Sequence, residues 1–165
     1  MLRTLFHPAT QFVVAASLVI THAFSPPRIL VKPVSNPAAA PAGAVFLVEG
    51  EHHSETDLLT ITGRAEGMVS GKRVTKQLTL VKASGGQYSL TKQWDAGSPW
   101  VLVLTVEQGA GGSHGVAEAI VQIDAAGKLL NIDYPAAGWE GKDYIPKRTS
   151  SATIEAALMT MVAKR

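Results

Sequence analysis

From Ala44 onward, apolar and polar residues alternate in short runs broken by turn residues, the pattern of strands with one buried face. Val45 to Glu49 (VFLVE) is apolar on both faces and suits a covered strand. Leu59 and Ile61 alternate with Thr60 and Thr62. Val74, Leu78 and Leu80 share one parity, against Arg73, Thr75, Gln77 and Thr79. Tyr88, Leu90 and Trp94 alternate with Gln87, Ser89, Thr91 and Gln93. Trp100 to Val106 (WVLVLTV) is apolar at nearly every position, which predicts a central strand. Ala117, Ala119, Val121 and Ile123 alternate with Glu118 and Gln122, and Leu130 with Ile132 forms the last strand. Tyr88, Trp94, Trp100, Leu102 and Leu104 fall in one parity across a hairpin and are expected to face one interior.

The connections read as hairpin turns. Ser84-Gly85-Gly86 permits the positive φ that tight hairpins need, and Asp95 to Pro99 is a longer turn. Asp124-Ala125-Ala126-Gly127 fits a type I turn followed by a left-handed glycine. No strand is followed by a helix of crossover length, which argues against a parallel α/β sheet. About seven strands with regular turn signals predict an antiparallel β-sandwich over residues 44–148.

Both ends of the chain differ from this body. Residues 149–165 place Ile154, Ala157, Leu158, Met161 and Val162 on one helical face, with Ser150 or Ser151 available as cap. Lys164 and Arg165 complement the C-terminal end of the helix dipole. This amphipathic helix is expected to pack on the sandwich; the sharper alternative is that it meets a partner. Residues 1–23 read as a secretory signal, with Arg3 ahead of the apolar run Phe12 to Ile20 and Ala23 at the cleavage position. The run is shorter than the ~20 residues of a spanning helix, so no stable membrane span is expected after cleavage; an uncleaved segment would anchor the chain. Residues 24–43, rich in proline and alanine, read as an extended, semi-rigid linker.

Composition narrows the picture further. A chain of 165 residues suits one domain, and 46% hydrophobic residues are enough for a core. The net charge is +2, with Lys72, Arg73, Lys76 and Lys82 interleaved among apolar strand residues instead of clustered, so no nucleic-acid partner is expected. With no cysteine, the chain has neither disulfides, thiolate metal ligands nor a thiol nucleophile.

Between Thr62 and Val106 several segments occur in a familiar order: Gly63, Val69-Ser70-Gly71-Lys72-Arg73-Val74, Leu78-Thr79-Leu80, Gly86-Gln87-Tyr88-Ser89-Leu90, Gly97 and Trp100-Val101-Leu102-Val103. This stretch resembles the exported YtkA-like β-sandwich domains and, more loosely, the carboxypeptidase-regulatory or transthyretin-like domains. The resemblance covers under a third of the chain and implies an immunoglobulin- or transthyretin-like sandwich in an exported setting, not an activity. The Tyr-Arg-Gly-Ser ending of the transthyretin-like hydroxyisourate hydrolases is missing; the chain ends Met161-Val162-Ala163-Lys164-Arg165.

Candidate chemistry is sparse. Glu49, Glu51, His52, His53, Glu55 and Asp57 form a compact acidic and histidine cluster, and imidazole with carboxylate can bind zinc or copper. On a continuing strand His52 and His53 would point to opposite faces, so a metal site needs His114 to close it in space. Gly109 to Gly115 (GAGGSHG) lacks the Gly-Lys-Ser/Thr ending of a phosphate loop and reads as a hairpin loop. Neither G-x-S-x-G nor S-x-x-K occurs, and Ser113-His114 are mere neighbours on a loop. Trp139 and Tyr144 sit with Tyr134 in an irregular polar segment, expected to plug one end of the sandwich.

The expectation is therefore a non-catalytic binding or accessory module, exported to the periplasm or outside the cell, with no catalytic residues and no cofactor. It would meet an envelope protein through the sandwich or the C-terminal helix. The alternative is a periplasmic copper- or zinc-binding protein using His52, His53 and His114.

Overall fold

The computed structural model describes residues 26–52, 59–109, 112, 115–135, 138–140, 143–145 and 148–163. The expected signal at 1–23 lies outside them. The described chain is mostly β, with two antiparallel sheets stacked as a sandwich and one C-terminal helix. The first sheet holds β1 (Arg28–Pro33), β2 (Ala44–Glu51), β6 (Gln87–Thr91) and β5 (Leu80–Lys82), in that order. The second holds β4 (Lys72–Leu78), β3 (Leu59–Val69), β7 (Trp100–Gln108), β8 (Gly115–Ile123) and β9 (Leu129–Asp133). A two-stranded ribbon, β10 (Gly138–Glu140) with β11 (Asp143–Ile145), leads to helix α1 (Ser151–Ala163).

The alternation sorts residues as a half-buried sheet requires. Ile29, Val31, Phe46, Val48, Leu90, Trp94, Trp100, Leu102, Leu104, Ala119, Val121 and Ile123 meet in one core between the sheets, with Tyr88 packed against it. The common interior expected for Tyr88, Trp94, Trp100, Leu102 and Leu104 is therefore present. They do not lie across a hairpin, however. β6 and β7 belong to opposite sheets, and Asp95 to Pro99 carries the chain between them. Trp100 is fully buried, and its indole nitrogen donates to the Asp95 carbonyl at 2.9 Å, which satisfies its one polar atom. Room for the ring comes from Gly67 on the neighbouring strand, where a Cβ would lie 2.5 Å from the indole.

β7 is central, as its composition predicts, and the structure shows why it is apolar on both faces. Its inward residues fill the sandwich core. Its outward residues Val101 and Val103, with Ile120 of β8, form a second cluster with Ile154, Leu158 and Met161 of α1. The helix thus roofs the outer face of the five-stranded sheet. Ser150 caps it, its Oγ accepting from the Thr153 amide at 3.1 Å.

Beyond the absent β6–β7 hairpin, three further features depart from the sequence reading. First, the linker expected at 24–43 contains β1, which pairs along its length with β2. Prolines at 26, 27 and 33 bound this strand, and an edge position tolerates them because one side of the strand has no ladder to fill. Second, the single strand read from Arg73 to Leu80 is two strands in two sheets. The chain switches sheet at Thr79, where the Gln93 side-chain amide takes the place of a strand partner: Oε1 accepts from the Thr79 amide at 2.8 Å, and Nε2 donates to the Thr79 carbonyl at 2.7 Å. These two changes raise the seven expected strands to nine across the two sheets. Third, the segment expected to be irregular carries the β10–β11 ribbon, with Trp139 opposite Tyr144.

The β5–β6 and β8–β9 hairpin turns form as expected, whereas Asp95 to Pro99 crosses between the sheets. Gly85 and Gly86 take φ of 68° and 77° in the β5–β6 hairpin. At the β8–β9 hairpin the Gly127 amide donates to the Asp124 carbonyl at 3.0 Å, with Gly127 at φ 84°. Ser70 and Gly71, at φ 49° and 73°, make the two-residue turn of β3–β4, the only place among the described residues where a non-glycine holds a positive φ.

Candidate functional site

The candidate metal ligands sit at one end of the sandwich. His52 follows the last residue of β2, and its Nε2 lies 3.0 Å from the side-chain nitrogen of Gln108, the last residue of β7. β7 and β8 pair as far as Gln108 opposite Gly115, so the intervening loop, which carries His114, springs from beside His52. The structure thus places His52 beside the strand end from which the segment with His114 continues. His53 and His114 themselves lie outside the described residues, as do Glu55 and Asp57. Among the described residues no group of three or more histidine or acidic side chains is arranged to hold a metal ion. Glu49 is committed elsewhere: it bonds Lys32 at 2.9 Å and also Gln87, and these two bonds hold its carboxyl below the ordinary range.

Two buried carboxylates lie under or beside α1, and both serve the helix. Glu66 on β3 accepts from Arg64 at 3.0 Å and from Arg73 at 2.8 Å. Burial alone would raise its pKa, but the hydrogen bonds and charges of Arg73 and Arg64 outweigh that and hold it lowered. Arg73 reaches onward to Glu155 of the helix at 3.6 Å. Glu118 on β8 is 2% exposed and accepts from the Thr149 amide just ahead of α1 and from the Thr105 hydroxyl. Arg148 next to it bonds Glu107 at 2.6 Å. One electrostatic clamp therefore ties the helix to β3 and β4, and another ties its lead-in to β7 and β8. Sequence alternation marked Glu118 as a solvent-facing strand residue; nothing local signals that the helix lead-in covers it.

A cleft of about 390 Å³ lies between the start of α1 and the outer face of β8 and β9. Its polar groups are mostly engaged in structure: Ser150 caps the helix, Arg148 bonds Glu107, and Asp133 accepts from the Tyr134 amide. The Thr149 hydroxyl is buried without a partner. Tyr134 turns the other way and hydrogen-bonds β1, accepting from the Val31 amide at 3.2 Å and donating to its carbonyl at 3.4 Å. It caps the edge of the first sheet as Gln93 caps Thr79.

The outer face of the four-stranded sheet is different. Across it run two rows set by strand register, Lys32–Leu47–Ser89–Val81 and Leu30–Glu49–Gln87. Leu30 and Leu47 are half-buried, and Val81 is 57% exposed. Helix α1 packs on the other sheet. VFLVE suits a strand covered on both faces, but only Leu47 of its second apolar parity lies on this surface; Val45, of the same parity, packs against the core at the register shift beside Ala44. No family model, curated protein or solved structure matches the chain.

Proposed function

We propose that this chain is a non-catalytic exported binding or accessory module of the cell envelope or secreted fraction, and that it meets an envelope partner through the outer face of the four-stranded sheet. One observation carries the reading. The sandwich has two outer faces with apolar strands, and among the described residues a helix covers one of them, leaving half-buried Leu30 and Leu47 and exposed Val81 on the other. Apolar side chains on an open sheet, framed by the Lys32–Glu49 pair, suit a protein surface better than a small polar substrate. The use of both buried carboxylates in attaching α1 supports a structural role for Glu66 and Glu118. The export part rests on residues 1–23 and on the resemblance to exported sandwich domains. Expression in a secreting host should yield a periplasmic or extracellular chain beginning at or after Phe24.

The test is a paired substitution. Leu47→Lys with Val81→Lys should leave the melting temperature nearly unchanged and abolish cross-linking to an envelope partner that the natural sequence captures. Retained capture, with equal yield, would refute this face as the binding surface.

The second reading is metal binding by His52, His53 and His114. The placement of His52 beside the root of the β7–β8 loop favours it. Native mass spectrometry after loading with copper or zinc should then show one ion per chain, lost in His52→Ala.

A further inference from the structure

Both register irregularities in the paired strands of the two sheets fall at one end of the molecule. In β2, Val45 is an extra residue between the pairs Ala44–Thr91 and Phe46–Leu90. In β9, Leu130 is an extra residue between the pairs Asn131–Gln122 and Leu129–Ile123. A bulge bends its strand and increases the local twist, and such bulges gather at sheet rims and beside binding sites. Here the two bulges sit on facing sheets, one on each side of a cleft of about 200 Å³ that opens between the sheets. Its lining includes Phe46, Trp94 and Ile123, core residues at 5%, 7% and 2% exposure, so the opening reaches the sandwich interior. Phe46 and Trp94 meet there with ring centroids 6.4 Å apart. Lys92, exposed at the rim, is the one charged residue in the lining, and it has no ion-pair partner among the described residues.

We infer that this inter-sheet cleft is a binding site for a small amphiphilic anion: one aromatic ring or short branched chain bearing a carboxylate. Size sets the body of the ligand, since a dry cavity of about 150 Å³ takes benzene, leaving room here for one ring and a short tail. The lining sets its polarity. Water in an ordered site needs two to four polar partners, and a wall of Val45, Phe46, Trp94, Ile123 and Leu129 side chains offers an apolar surface instead. Lys92 sets the charge, as the cation of the lining that would meet a carboxylate while the ring enters between the sheets. The inference is independent of the partner surface on the outer face, and of export.

The test uses the whole chain and three probes: 3-phenylpropionate, its neutral analogue 3-phenylpropanol, and acetate. Amide and indole resonances are followed by nuclear magnetic resonance. Phenylpropionate should shift the Trp94 indole and Gly127 amide signals saturably, with a Kd on the order of 1 mM or tighter. Phenylpropanol should bind the same residues about tenfold more weakly, and acetate should leave the Trp94 signal unmoved. Lys92→Met should bring phenylpropionate down to the level of the alcohol without changing the alcohol. Val45→Trp, a rim substitution whose folding is verified by the dispersion of the remaining resonances, should block both. Equal shifts from acetate would reduce the effect to a surface ion on Lys92 and overturn the site. So would binding that survives Val45→Trp, or no shift at Trp94 up to 20-fold above the expected Kd.

Discussion

The two outer faces of the sandwich start from similar material and end differently. On the five-stranded sheet, Val101, Val103 and Ile120 make an apolar patch that α1 covers with Ile154, Leu158 and Met161. On the four-stranded sheet, Leu30, Leu47 and Val81 make a patch that the helix does not reach, and Val81 is 57% exposed. The charges follow suit. Glu66 is 8% exposed and gripped by two arginines, whereas Lys32 and Glu49 form a pair whose lysine is 51% exposed. An ion pair in water contributes ~0–1 kcal/mol and is screened by salt, while a buried, doubly bonded carboxylate is costly to disrupt. One face is thus built for cohesion; the other carries an ion pair that solvent and salt screen.

Substitutions can break this contrast, and the largest effect belongs to the core that both sheets share. Trp100→Ala should cost about 3–5 kcal/mol, because it removes a fully buried indole and leaves Gly67 facing a void. Chemical denaturation checks this, and a loss under about 1 kcal/mol would mean that the indole is not packed as described. Next comes the clamp beneath the helix. Glu66→Gln should cost about 1–2 kcal/mol, since Arg64 and Arg73 lose charge-assisted bonds.

The same residue gives a pH signature. Folded Glu66 is held below its unfolded value, so its contribution is complete above the ordinary carboxylate range. That contribution is lost as pH falls below about 4.3, through the lowered folded value. Melts of the natural sequence and Glu66→Gln should therefore differ at pH 7 and converge at acid pH. On the open face the effects should be smallest. Lys32→Met should change stability by less than ~0.5 kcal/mol, and 1 M salt should erase even that. A larger, salt-resistant loss would mean that this face is not open.

How much of this was legible depends on what alternation encodes. It marks which residues face inward, so Phe46, Leu90, Trp100 and Leu102 were readable as core. It does not say which sheet a strand joins. Leu78 and Leu80 keep the same parity although they lie in different sheets, because both still point between them; only the Gln93 bonds to Thr79 reveal the switch. β1 was hidden by its flanking prolines, although Ile29 and Val31 alternate with Arg28, Leu30 and Lys32 as an edge strand should. The helix stripe was plain, and the doubly apolar WVLVLTV foreshadowed the surface that receives it. The inter-sheet cleft was not legible, because a bulge such as Leu130 breaks the very period that sequence reading relies on.

The contrast between the faces is tested most directly by making one chemical change on each and comparing thermal melts. Leu158→Asp places a charge under the helix at a fully buried position, and Val81→Asp places the same charge on the open edge of the other sheet. Burying an unpaired carboxylate costs several kcal/mol, and each kcal/mol moves the midpoint by about 3 °C in a chain of this size. Leu158→Asp should therefore lower the melting temperature by about 10 °C or more, while Val81→Asp should stay within about 2 °C of the natural sequence. Equal losses at the two positions, or a tolerant Leu158, would contradict the division of the sandwich into a roofed face and an open one.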